Sequence, residues 1–105
     1  MTNKIKWWGH QAHFCWDCRF HMATTIGNKY MVSTVGEYRD HTGKIREIGI
    51  RRFYETMVFR LYKKPNECGC PRIDPTELET AGYKNDCQEA VNGHMKMVER
   101  WKRKK

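Results

Sequence analysis

The 105-residue chain is 39% hydrophobic and 12% aromatic, enough for one modest core and too apolar for a disordered polymer. Its formal charge of +8 excludes an acidic DNA mimic and favours negatively charged partners. No apolar run approaches the roughly 18 residues of a membrane span, and MTNKIKWWGH lacks the apolar core of a secretion signal. The expected setting is therefore a reducing cytoplasm with no membrane partner, where five cysteines are thiols or metal ligands before they are disulfides.

The chain reads as one domain over residues 1–105, β-rich through residue 64, with a Pro/Cys loop at 65–75 and a helical part with a basic tail at 76–105. IKWW opens the strand part, and RFHMATTI and KYMVSTV follow, separated by Gly27-Asn28, a dipeptide suited to a tight hairpin turn. EYRDHTGK is rich in turn formers. IREIGI and RRFYETMVFRLY form one strand or two, with Gly49 a bulge or bend. From Phe53 to Tyr62 both faces are largely apolar, as in a central strand or one sandwiched at a subunit contact, which makes a homo-oligomer one expectation.

All three prolines fall in PNECGCPRIDP, which excludes a helix interior or a central strand there. Thr76 with Glu79 has capping-box spacing, and Gly82 would keep that helix short. A second helix starts at Asp86, with Glu89 three residues on. Cys87, Ala90, Val91, His94, Met95, Val98 and Trp101 then form one apolar stripe of about four turns. The fold class is α+β: an antiparallel sheet of four or five strands with a C-terminal amphipathic helix packed on one face.

Cys87 falls in that stripe and reads as a small, inert core residue. Cys15-x-x-Cys18 and Cys68-x-Cys70 match the ligand pairs of a tetrahedral all-cysteine zinc site, which would be structural because no open position remains. His13, Cys15, Cys18 and His21 are an alternative set, cramped on a strand whose side chains alternate between faces. Four unligated thiols are the bland alternative.

No enzyme is expected. Ser33, the only serine, sits inside a strand pattern rather than on a nucleophile turn. Phosphate loops and zinc-protease motifs are absent. His94 lies on the packing face of its helix, and His41 beside Asp40 is weak evidence for a base, since sequence neighbours need not face one another.

Charge is more informative. Residues 44–64 carry seven Lys/Arg against two acids, and 96–105 carry six against one. The tail suits a helix C-terminus. In the first block Arg46, Arg51, Arg52 and Arg60 are interleaved with aromatic residues. Arginine forks grip phosphate and aromatic faces stack on bases, so Arg46, Arg51, Arg52, Tyr54, Thr56 and Arg60 are the candidate ligand-binding residues. A solvated outer face is the bland reading of the same pattern.

RFHMATTIGNKYMVSTVGEY, IGIRRFYETMVF, CGCPRID and GHMKMVERW resemble a family of small phage-encoded proteins of unassigned function. The strings STVGEY and YETMVF carry most of the resemblance. It implies an accessory, anti-defence protein acting in the cytoplasm of an infected bacterium. The function expected is sequestering a phosphorylated nucleotide without cleaving it, favoured by the compact STVGEY and YETMVF strings and the lack of a long basic arm; the alternative is binding nucleic acid or blocking a protein as a basic accessory factor. Arginines that converge on a cleft favour the first, and arginines spread along an open surface favour the second.

Overall fold

A computed structural model describes residues 5–8, 18–48, 51–65, 71–83 and 86–103. Among these residues six strands and one helix are formed: β1 (Ile5–Trp8), β2 (Cys18–Ile26), β3 (Tyr30–Arg39), β4 (Ile45–Arg46), β5 (Tyr54–Leu61), β6 (Ile73–Tyr83) and α1 (Cys87–Lys102). The sheet order is β1-β2-β3-β5-β6, with β4 pairing the far end of β3, and every ladder is antiparallel. The helix packs on one face, so the α+β class holds, with a larger sheet than the pattern predicted.

The β2–β3 hairpin forms where expected, closed by three residues rather than two. Ile26 pairs with Tyr30, Lys29 N donates to Ile26 O at 3.2 Å, and Gly27 takes φ 56°, a value that costs glycine little. β3 and β5 are each paired on both sides, so β5 is the central strand its pattern suggested. The Gly49 bend lies outside the described residues.

Residues 76–82 correct the expected short helix, because they belong to β6. Thr76 and Glu79 do carry capping-box spacing. Yet Thr80, Ala81, Gly82 and Tyr83 pair in register with Met57, Thr56, Glu55 and Tyr54, and a ladder along a preformed strand outweighs a local helix signal. Pro75 is tolerated because β6 is an edge strand whose register shifts near Phe59, the setting in which a missing N–H does least harm.

The helix begins as predicted, with Asp86 Oδ1 accepting from Glu89 N at 2.9 Å. Its buried stripe is rotated from the expected one. Ala90, His94, Met97, Val98 and Trp101 face the sheet, whereas Met95 is 46% exposed and Cys87 is an exposed free thiol, so the reading of Cys87 as a buried core residue fails. At 100° per residue, Met97 lies nearer the centre of the arc set by Ala90, His94 and Trp101. Met97, Val98 and Trp101 join Ile26, Val32 and Val58 in the main core. Met97→Asp should therefore abolish cooperative thermal unfolding, since an unpaired buried carboxylate costs several kcal/mol of a total near 5–15. Met95→Asp should leave a normal melt. A melt for Met97→Asp like that of Met95→Asp would mean that the helix does not dock by this face.

Candidate functional site

β5 separates the six candidate residues. Tyr54 and Arg60 stand at its two ends, roughly 20 Å apart at about 3.3 Å per residue. Tyr54 is 6% exposed; its hydroxyl donates to Glu37, and its ring meets Phe20 edge-on at 5.3 Å. Thr56 is fully buried. Neither is open to a base. Arg46, Arg51 and Arg52 lie near the Tyr54 end and are exposed.

Carboxylates accompany that end. Arg46 Nε donates to Asp40 Oδ2 at 2.7 Å, and Asp40 Oδ1 also accepts from the Thr42 hydroxyl and from Thr42 N and Lys44 N. The Thr42 hydroxyl and then Arg46 hold the Asp40 carboxyl well below the usual carboxylate range. Glu47 accepts from the backbone N–H of Arg51, which takes φ 58°. The Arg52 side chain lies across Gly82 of β6. Because exposed ion pairs contribute little to stability, Arg46→Ala should shift Tm by only a few degrees; a much larger drop would show that the Asp40 loop organises the fold.

The opposite end of the sheet differs in charge. The backbone assembles it: Leu61 N donates to Lys29 O at 2.8 Å, and Tyr62 N donates to Arg72 O at 2.9 Å. These two bonds bring the β2–β3 turn and the start of β6 to the end of β5, collecting Lys29, Arg60, Lys63, Lys64 and Arg72. All five are exposed. Among the described residues none of the five has an ion pair. Tyr62 is 46% exposed, with the Arg72 guanidinium 4.9 Å over one side of its ring. Trp101 meets the Tyr30 ring at 4.9 Å, which sets the basic last turn of α1, with Lys102 and the C-cap Arg103, at the same end. Two adjoining depressions, of about 170 and 250 Å³, share Asn28, Leu61 and Lys63. Both fall below the roughly 300–1,000 Å³ of an enclosing small-molecule pocket.

Of the candidate residues only Arg60 belongs here. Lys29, Tyr62, Lys63 and Arg72 were not singled out. Lys63 and Tyr62 lay within the basic, aromatic block, whereas Lys29 and Arg72 carry no local signal and join only by folding.

Thr56 instead belongs to a buried polar chain beneath the helix. Its hydroxyl is 2.6 Å from that of Thr34, which is 2.7 Å from His94 Nδ1, and His94 Nε2 is 2.9 Å from Thr24 Oγ1. All four residues are fully buried, and the Trp7 ring covers the imidazole at 5.5 Å. One ring nitrogen donates and the other accepts, so neutral His94 is satisfied. Burial pushes its pKa down to about 4. A histidine neutral at pH 7 and sealed from solvent has no route to a substrate, and the chain holds α1 in position on β2, β3 and β5.

Of the proposed zinc ligands, Cys15, Cys68 and Cys70 lie outside the described residues, as does the side chain of Cys18, which opens β2. The alternative set shares that position: His13 lies outside them too, and His21 is an exposed residue of β2. Among the described residues no group of three or more His, Cys, Asp or Glu could hold a metal. In comparison with known proteins, the chain matches no family model, no curated protein and no solved structure.

Proposed function

We propose that this protein binds single-stranded nucleic acid on the basic end of its sheet and does not cleave it. The observation that carries the reading is the cluster of Lys29, Arg60, Lys63, Lys64 and Arg72, without ion pairs among the described residues, beside the exposed ring of Tyr62. Unpaired cations exchange small counterions for phosphates, and an open aromatic face stacks on any base.

Shape supports an extended ligand over an enclosed nucleotide. The arginines of the 44–64 block do not converge, and the depressions beside Arg60 are shallow and small. An accessory role in an infected cell, expected from the resemblance of STVGEY and YETMVF, is part of the same proposal. The test is fluorescence anisotropy with labelled single-stranded DNA and RNA, set against calorimetry with mononucleotides and cyclic nucleotides. Oligonucleotides should bind with affinity that falls as salt rises. Tight binding of a free nucleotide, indifferent to salt, would overturn the proposal and restore sequestration.

A further inference from the structure

The two edges of the sheet carry matching features. Among the described residues β1 and β6 are the outer strands, and each presents there one row of backbone groups outside the ladder. Such an edge is a template for pairing with another chain. On the β1 edge Ile5 and Trp7 are 40% and 46% exposed. Trp7 pairs with Thr24, so it lies on the face that carries α1, beside His94.

On that same face, at the β6 edge, a groove of about 440 Å³ runs between the strand and α1, lined by Ala81, Tyr83, Asn92, Gly93, Met97 and Arg100 among others. Gly93 leaves room for the Tyr83 ring here, since a Cβ at that position would come within 2.1 Å of it and displace the ring. A cavity of about 150 Å³ admits benzene, so this groove has room for an indole.

The ladder registers align the two edges. Trp7 pairs with Thr24, Thr24 with Val32, Val32 with Val58 and Val58 with Glu79. Trp7 thus stands level with Glu79, one residue on the same face from Ala81 of the groove. On the opposite face Lys6 pairs with Thr25, Thr25 with Met31, Met31 with Phe59 and Phe59 with Glu77. An exposed lysine therefore stands level with an exposed glutamate. Size, face, level and charge all match between one edge and the other.

We infer that this protein assembles head to tail with copies of itself, β1 of one chain adding to β6 of the next and Trp7 entering the α1–β6 groove of that neighbour. Four antiparallel ladders separate β1 from β6, so the two strands run the same way and the new pair is parallel. Lys6 then meets Glu77 of the next chain. Because the two surfaces differ, one patch does not pair with itself, and repetition gives a ring where the rotation between neighbours closes.

Sedimentation and light scattering across a concentration series test this, with circular dichroism confirming that each variant is folded. Wild-type protein should run as a closed oligomer. Trp7→Ala removes the inserted ring, and Asn92→Trp fills the groove from its exposed rim; each alone should be monomeric. Mixed in equal amounts they should recover a one-to-one pair, because one chain keeps its tryptophan and the other its groove. Should either variant fail to fold, Ile5→Lys and Lys96→Trp serve in its place. A wild-type monomer at every concentration would overturn the inference. So would an Asn92→Trp chain that stays oligomeric, which would mean β1 pairs with β1, or a mixture that stays monomeric.

Discussion

Between pH 7 and pH 4 the protein is expected to lose roughly 3 kcal/mol of stability through His94 alone. The imidazole is fully buried between Thr24 and Thr34, and burial lowers its pKa from 6.5 to about 4. Above pH 6.5 both folded and unfolded chains hold a neutral ring, and its contribution is complete. As pH falls from 6.5 to about 4 the unfolded ring takes a proton that the folded ring refuses, so each step favours unfolding. Below about pH 4 both are charged and the contribution stops changing.

Glu55 has the opposite sign. Its carboxyl is raised by burial and then by the nearby Glu77 charge, so acidification near its own range stabilises the folded state and partly offsets the loss. Urea unfolding of wild type and His94→Gln across this pH range separates the two. The glutamine variant should lose the destabilisation that His94 brings as pH falls from 6.5, while keeping the opposite contribution of Glu55. Parallel slopes for both proteins would place the acid sensitivity elsewhere. His94→Phe should be worse at pH 7, because it strands the Thr24 hydroxyl in the interior, a loss of about 1–3 kcal/mol.

Such a chain is hard to see in a sequence. Thr56 reads as a ligand-binding residue and nothing marks Thr24 or Thr34, because alternation says which strand face a residue is on, not what lies over it. The partners of His94 are 70 and 60 positions away, and only the sheet order brings them together. The β2–β3 hairpin was legible because its turn and its two strands are contiguous. The Asp86 cap was legible for the same reason. Thr76–Glu79 misled for the converse reason: its capping-box spacing is local, while the strand pairing that overrides it joins Thr80 to Met57. Met95 and Met97 both suit an apolar stripe near 3.6-residue spacing, and the choice between them depends on where the sheet lies. In the basic block, composition grouped Arg46 with Arg60, and the length of β5 sets them apart.

That separation fixes what charge removal should do. With one phosphate neutralised by each of four of the five clustered cations, Lys29, Arg60, Lys63 and Arg72, affinity for a single strand should fall roughly 50-fold between about 50 and 200 mM salt, following a slope near −0.7 per contact. Arg60→Ala with Lys63→Ala should reduce that fall to roughly 7-fold, since two counterions are no longer released. Arg46→Ala with Arg51→Ala, at the end where Asp40 and Glu47 already engage the arginines, should leave the slope unchanged. Tyr62→Ala acts differently. Stacking contributes roughly 1–3 kcal/mol per base, so affinity should drop about 5- to 150-fold with the salt slope intact, and only for unpaired strands, because a duplex offers no free base face. Anisotropy titrations of these three variants against single-stranded and duplex oligonucleotides at two salt concentrations read all of this. If the Arg46/Arg51 variant loses the slope and the Arg60/Lys63 variant keeps it, the ligand lies at the other end of the sheet.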